Sequence, residues 1–270
     1  MSRGFSITGQ PGFPFIALLC FAVLYLPVAT LVFYAFNAGD SVAVWSGFSL
    51  RWFHSAWQNT QVQEATMRSA LIAVVAATIA TVTATMAAIA TTRTAPYRGL
   101  TFKYAFINQP LMVPEIVTAV ALLIVFSRLK VWTGYSGLGY LIAAHTAFCI
   151  PFAYMPIRAR LEGMDLTLER AAADLYATPW AAFRRVTLPL LWPGILAGFM
   201  LAFVISLDDV VITEFVKSAG QETLPTYMLG QLKRSVTPEI NAISTVFLGI
   251  SILLVTMFFL ISRKKPNVNS

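Results

Sequence analysis

Six long apolar stretches constrain the fold of this chain more than any other feature of its sequence. They cover residues 13–36, 69–92, 104–127, 138–157, 186–212 and 240–262. A helix needs about 20 consecutive, mostly apolar residues to cross the hydrocarbon core of a bilayer. Each stretch reaches that length, and the first is too long for the core of a signal peptide. The sequence therefore predicts an all-α polytopic membrane protein with six transmembrane helices in a single domain, residues 1–270.

The composition excludes the main classes of soluble chain. Charged residues make up 11% and hydrophobic residues 57% of the chain, whereas soluble domains carry about 25% charged residues. Such hydrophobicity also argues against disorder. The two cysteines, Cys20 and Cys149, both lie in apolar stretches and do not form a disulfide framework. The excess of 19 Lys and Arg over 12 Asp and Glu is better explained by membrane topology than by nucleic-acid binding.

The distribution of basic residues predicts the orientation in the membrane. With both termini in the cytoplasm, the cytoplasmic segments carry 12 of the 19 Lys and Arg residues and the external segments carry the other 7. Cytoplasmic loops hold such an excess in membrane proteins. The strongest single anchor is the tail Arg263-Lys264-Lys265. This orientation makes 37–68 and 213–239 long external segments and 158–185 a long cytoplasmic loop.

Three acidic residues lie in or at the ends of the apolar stretches. Glu115 falls near the middle of the third stretch, and Asp208 and Asp209 come at the end of the fifth. An acidic residue at the centre of a membrane helix costs about 2.5–3.5 kcal/mol on insertion scales. One interpretation is a cavity whose carboxylates attract a cationic substrate. The alternatives are an ion pair or a protonated buried acid for Glu115, and a simple helix end for Asp208 and Asp209.

Other residues that often carry chemistry favour structural roles. His145 and Cys149 lie one helical turn apart, but a metal site needs three or four ligands. We therefore expect a hydrogen-bonded core histidine and no metal. Gly194 and Gly198 form a small-xxx-small pair, which favours close helix packing inside this chain over a dimer seam. Nucleotide-binding and hydrolase motifs are missing from the sequence, so we expect no catalytic residues.

The cytoplasmic loop 158–185 has the pattern of two short helices. Its first helix has an apolar stripe at helical spacing, formed by Leu168, Ala171, Ala172 and Leu175. Asp165 or Thr167 is a suitable cap for that helix. Thr178-Pro179 restarts the chain as N-cap and first helical residue, and Trp180 and Phe183 make the second helix apolar on one face. This apolar surface must dock on the bundle, the lipid surface or a partner.

The same segment resembles a known family. The sequence from Glu169, ERAAADLYATPWAAFRRVTLPLLWPGILAG, is similar to the "EAA" loop in the membrane subunits of binding-protein-dependent ABC importers. Ala171 and Ala172 match its two alanines. Two positions depart from it, because Arg170 replaces the Glu and Tyr176 replaces the Gly. Tyrosine disfavours the turn with positive φ that glycine allows freely.

Further stretches resemble the spermidine/putrescine permease subgroup. They are MVPEIVTAVALL from Met112, HTAFCIPFAY from His145, AFVISLDDVVITEFV from Ala202, and TPEIN from Thr237. The resemblance implies a MetI-like type I permease in a bacterial inner membrane that carries a polyamine delivered by a periplasmic binding protein. It also implies a second permease subunit, as a heterodimer, and an ATPase dimer. ATP and Mg would bind the ATPase, and this chain would bind no cofactor.

The resemblance also implies a set of coupling residues in the loop. These are Glu169, Arg170, Ala171, Ala172, Asp174, Leu175, Tyr176, Pro179 and Phe183. The substrate-path candidates Glu115, Asp208 and Asp209 rest on electrostatics and position alone. Three alternatives stay open at this point: a stand-alone secondary transporter or channel, a membrane enzyme, and an ABC importer for another small solute such as an amino-acid derivative.

Overall fold

The computed structural model describes residues 12–42, 44–94, 98–234 and 237–262. The anchor predicted at Arg263-Lys264-Lys265 lies outside these residues. Within the described part the regular secondary structure is helical, and the one β contact is an isolated bridge between Asn37 and Phe48. The helices are α1 Phe13–Ala35, α2 Arg51–Gln58, α3 Thr60–Thr92, α4 Leu100–Met112, α5 Glu115–Thr133, α6 Gly139–Glu162, α7 Thr167–Asp174, α8 Pro179–Ala182, α9 Leu188–Asp208, α10 Val211–Val216, α11 Leu224–Arg234 and α12 Pro238–Ser262.

Six helical segments in the described residues are long and apolar enough to cross a membrane. They are Pro14–Ala35, Thr60–Thr92, Glu115–Thr133, Gly139–Glu162, Pro179–Asp208 and Pro238–Met257. Helices satisfy every backbone hydrogen bond within one segment, which lipid requires of a spanning structure. The predicted all-α class with six spans is confirmed.

The third span departs from the sequence prediction. A continuous helix over 104–127 was expected, but the chain breaks between α4 and α5, where Val113 is extended with φ −96° and ψ 137°. Pro114 causes the break, because proline has no N–H to donate and disfavours helical geometry in the residue before it. Glu115 therefore lies at this break and not inside a continuous helix. Glu115 is the first residue of α5.

The described residues group into two compact units. One unit combines the chain up to Thr60 with Gly230–Ile250. In this unit the buried Asn37 amide donates to the Ser41 and Val44 carbonyl oxygens at 2.8 Å each, and its oxygen accepts from the Ser46 N–H at 2.8 Å. These bonds hold the turn that follows α1.

The other unit contains Gln61–Leu229 and carries the main core. Helix α3 contributes mostly alanines to its buried face: Ala73, Ala76, Ala77, Ala80, Ala84 and Ala88. Small residues let helix backbones approach closely in lipid, where packing rather than hydrophobicity drives association. The buried hydroxyls of Thr91 and Tyr154 lie 2.9 Å apart and link α3 to α6.

Helices α6 and α9 form the tightest seam in this unit. A Cβ atom added at Gly198 would lie 2.7 Å from the Ala153 carbonyl oxygen and 3.0 Å from Ile157. A Cβ atom at Gly194 would lie 2.6 Å from the Arg160 side chain. A side chain at Gly198 would meet the backbone of α6, whereas one at Gly194 would meet the base of the Arg160 side chain. The prediction that this pair packs inside the chain is confirmed.

Candidate functional site

A chain of buried hydrogen bonds connects α6, α9 and α10. On His145, Nδ1 lies 2.8 Å from the Ser206 hydroxyl and Nε2 lies 2.9 Å from the Thr213 hydroxyl. The Thr213 hydroxyl donates to Asp209 Oδ2 at 2.7 Å, so it accepts from a proton on Nε2. Ser206, His145, Thr213 and Asp209 are all buried.

This arrangement confirms the prediction of a hydrogen-bonded core histidine. Both ring nitrogens of His145 are occupied by hydroxyl partners. The Cys149 thiol donates to the Ala202 carbonyl oxygen at 3.4 Å. Among the described residues, no group of three or more His, Cys, Asp or Glu side chains could hold a metal.

Asp209 caps the short helix α10. Its carboxylate accepts hydrogen bonds from the backbone N–H of Ile212 at 3.3 Å and of Thr213 at 2.8 Å. A carboxylate at this position satisfies donors that have no partner within the helix and interacts favourably with the helix dipole. The neighbouring Asp208 is exposed instead. Adjacent acids that looked alike in the sequence therefore have different surroundings.

The break before α5 brings a third carboxyl group to the same place. Glu115 is half-buried, and its side chain lies within hydrogen-bonding reach of Asp209. Glu115 is absent from the ion pairs of the described residues. The structure thus brings Glu115, at the start of α5, close to Asp209 at the end of α9, where Asp208 is the preceding residue.

Sequence reasoning missed Ser206 and Thr213 as members of this cluster. Thr213 lies four residues after Asp209, the spacing expected for a capped first turn, so its bond to Asp209 had a local signal. The bonds from His145 to Ser206 and Thr213 cross 61 and 68 residues. No spacing rule reaches that far, and only the packed bundle reveals these partners.

The loop 158–185 forms the two expected helices with one change. The Asp165 carboxylate accepts from the Thr167 N–H at 2.9 Å and begins α7, and this bond lowers the pKa of Asp165. Thr178 caps α8 by accepting from the Ala181 N–H at 3.3 Å, as predicted. The second helix does not stop within the loop, because a π-helical turn, Phe183–Thr187, carries it on into α9. Pro189 has no N–H for the Arg185 carbonyl, so the regular ladder is interrupted there.

Tyr176 takes up the turn that glycine usually provides. Its φ is +57°, the one positive φ of a non-glycine residue in the described chain. The Ala177 N–H donates to the Ala172 carbonyl at 3.0 Å, and the Tyr176 N–H donates to the Ala173 carbonyl at 2.9 Å. These two bonds define a Schellman cap. The turn geometry of the motif is therefore preserved despite the tyrosine.

The loop presents apolar side chains at its surface. Large exposed residues are Leu168, Leu175, Tyr176 and Trp180, with 96% of Tyr176 accessible. Glu169 differs from these, because its carboxylate lies 3.2 Å from the Arg93 guanidinium and accepts from the Thr187 hydroxyl at 3.1 Å. The predicted coupling set thus contains a surface part and an inward part.

A strained tyrosine at this turn leads to a first prediction. We expect Tyr176→Gly to stabilise the end of α7 by about 1 kcal/mol, because a left-handed conformation costs a non-glycine residue about 1–2 kcal/mol. Hydrogen exchange at the amides of Tyr176 and Ala177 is the measurement, and slower exchange is expected in the variant. Tyr176→Ala is the matched control, because it removes the ring but keeps the strain. Equal exchange in both variants would contradict the prediction.

These features define a multi-pass helical membrane protein with an apolar loop before its fifth span and acidic side chains at the ends of two helices. Residues 101–264 match the family described as "Binding-protein-dependent transport system inner membrane component". The chain belongs to this family. It is a membrane-spanning permease subunit of an ABC importer and not an enzyme.

Named relatives support this assignment over nearly the full length. The putrescine transport system permease protein PotI of Escherichia coli (strain K12) is 37% identical over 87% of this chain and 84% of its own length. The spermidine/putrescine transport system permease protein PotC of the same strain is 34% identical over 93% of each chain.

Solved structures show the same fold at low sequence identity. The methionine ABC transporter MetNI in an inward-facing conformation matches with a TM-score of 0.64 and 17% identity, covering 78% of this chain and 97% of that chain. A bacterial alginate ABC transporter matches with a TM-score of 0.66 and 15% identity, covering 94% and 96%.

Proposed function

We propose that this chain forms the translocation path of an ATP-driven importer for a polyamine such as putrescine or spermidine. The observation that carries the proposal is the cluster of Glu115, Asp208 and Asp209 at one end of two spans. Polyamines carry several ammonium groups, and carboxylates attract them electrostatically. The names of the relatives, putrescine and spermidine/putrescine permeases, point to the same substrates.

The proposal includes the rest of the transporter. Residues 1–270 act as a single permease domain in a bacterial inner membrane, with both termini in the cytoplasm. A second permease subunit completes the path as a heterodimer, a periplasmic binding protein delivers the substrate, and an ATPase dimer binds ATP and Mg. This chain binds no cofactor of its own. The excess of basic residues on the cytoplasmic side supports this orientation.

In this proposal the cytoplasmic loop couples the conformational changes of the ATPase to the transmembrane helices. Its exposed apolar side chains, foremost Leu175, Tyr176 and Trp180, dock in a groove of the ATPase, because such a surface is not left in water. The coupling set is Glu169, Arg170, Ala171, Ala172, Asp174, Leu175, Tyr176, Pro179 and Phe183. Since α8 continues through the π-helical turn into α9, movement of the loop acts directly on the fifth span.

The test is reconstitution of the complete transporter in proteoliposomes with its binding protein. We expect uptake of radiolabelled putrescine or spermidine that requires ATP. Uptake that follows a proton gradient without ATP would overturn the importer in favour of a stand-alone transporter. ATP-dependent uptake of an amino-acid derivative, with none of either polyamine, would overturn the substrate class.

A second prediction concerns Glu115. We expect Glu115→Gln to lower polyamine uptake about ten- to a hundredfold, because a hydrogen bond to a charged group contributes about 1.5–3 kcal/mol. The initial rate of uptake at subsaturating substrate measures the effect. Glu162→Gln is the control, since Glu162 makes an exposed pair with Arg158 on α6. Normal uptake by a well-expressed Glu115→Gln transporter would remove Glu115 from the path.

A further inference from the structure

One carboxylate joins three separate parts of the cytoplasmic side of the bundle. Glu169 lies on α7, Arg93 follows the end of α3, and Thr187 ends the π-helical turn before α9. Glu169 Oε1 is 3.2 Å from Arg93 Nη2, and the Thr187 hydroxyl donates to the same oxygen at 3.1 Å. Residues distant in sequence therefore share a single acceptor atom.

The two charged groups of this contact are mostly buried, at the floor of an open cleft that Leu166, Arg170 and Ala173 also line. The Arg93 side chain is 17% exposed and the Glu169 side chain 25% exposed, and Thr187 is buried. The Nε and Nη2 atoms of Arg93 are buried without a hydrogen-bond partner, so Glu169 supplies the negative charge that compensates this guanidinium. A buried charge that loses its partner is strongly unfavourable.

The remaining side chains of α7 do not provide a comparable anchor. Most are exposed, including Arg170 and Asp174. The hydrogen bond between Asp165 and Thr167 stays within the loop. Glu169 is therefore the polar side chain of this helix that ties it to the transmembrane part of its own chain.

We infer that Glu169 is a positioning residue that clamps the coupling helix α7 to the ends of the second and fifth spans, so that loop and spans move together. The inference rests on the proposed function and deepens it. Glu169 contributes to coupling through Arg93 and Thr187, while Arg170 and the exposed apolar side chains remain free to meet the ATPase. Without the clamp, α7 follows the ATPase without moving the spans.

The test compares uptake and ATP hydrolysis in the same proteoliposomes. We expect Glu169→Gln to lower the amount of polyamine transported per ATP at least about tenfold, because the Gln side chain keeps the contact with Thr187 but leaves Arg93 uncompensated. The complex still assembles and hydrolyses ATP. A residue that only supported folding would lower the yield of complex and leave this ratio unchanged. Glu162→Gln is the matched control and keeps the wild-type ratio.

A reciprocal exchange of charges gives the sharper result. The double variant with Arg93→Glu and Glu169→Arg restores the ion pair with its charges reversed. We expect each single variant to transport less polyamine per ATP, and the double variant to recover most of that loss. If Glu169 instead contacts the ATPase, Glu169→Gln reduces binding of the ATPase and the double variant does not recover. That result would overturn the inference and leave the polyamine importer intact.

Hydrogen exchange separates this inference from the function on which it rests. In the purified chain, Glu169→Gln should speed exchange at the amides of α7, whereas Glu162→Gln should not. Unchanged exchange in α7 contradicts the clamp, whatever the transporter carries. Absence of ATP-dependent uptake by the wild-type complex contradicts the proposed function, and the exchange experiment still decides whether the clamp exists.

Discussion

Asp209→Ala is expected to destabilise the permease by about 3 kcal/mol or more and to abolish uptake. The carboxylate accepts two backbone N–H groups at the start of α10 and the hydroxyl of Thr213. Removal leaves these buried donors without a partner, and hydrogen bonds to charged groups contribute about 1.5–3 kcal/mol each. Thermal unfolding of the chain in detergent measures the stability, and proteoliposome uptake measures the function.

Asp208→Ala is the matched control for stability, because it makes the same change of side chain at the adjacent position. Asp208 is exposed, so we expect its loss to change stability by no more than about 0.5 kcal/mol. If Asp208 attracts the substrate, uptake by the Asp208→Ala transporter still falls although the protein stays stable. Equal loss of stability in the two variants would contradict the different surroundings of these neighbouring acids.

Gly198→Ala is expected to destabilise the seam between α6 and α9. The new methyl group would lie 2.7 Å from the Ala153 carbonyl oxygen, a backbone atom that cannot turn away. Overpacking of this kind costs about 1–3 kcal/mol, and Gly198→Leu should prevent the two helices from packing at all. Unfolding in detergent, with the yield of monodisperse protein, gives the measurement.

Gly249→Ala is the matched control for Gly198→Ala, because we expect it to leave the stability unchanged or to raise it. Gly249 lies inside α12, and a Cβ atom added there has no atom within 4 Å among the described residues outside its own helix backbone. Alanine is a better helix former than glycine by about 1 kcal/mol, so Gly249→Ala should be neutral or slightly stabilising. If both alanine variants unfold at the same temperature, close packing is not the role of Gly198.

The local features of the chain followed from the sequence because their causes are local. Thr178 caps α8 from three residues away, and the paired glycines of α9 mark a close helix contact four residues apart. The break before α5 also had a local cause in Pro114, but its consequence for Glu115 was missed. A continuous apolar stretch does not reveal whether a proline kinks a helix or ends it.

The site itself depended on contacts between distant segments. Glu115 and Asp209 come from different spans, and His145 finds its partners on two further helices. The inward direction of Glu169 likewise depends on Arg93, 76 residues earlier in the chain. The left-handed conformation of Tyr176 could not be predicted from the sequence either. Tyrosine disfavours that conformation, but the cap at the end of α7 requires it.

The sequence by itself determined the class of this protein. Lipid offers no partners for backbone polar groups, so six apolar stretches of sufficient length can only be helices, and the loop motif identified the family. The tertiary structure decided which polar side chains meet. Their pairing depends on how the breaks at prolines and the close contacts at small residues orient the helices, and that orientation is a property of the packed bundle as a whole.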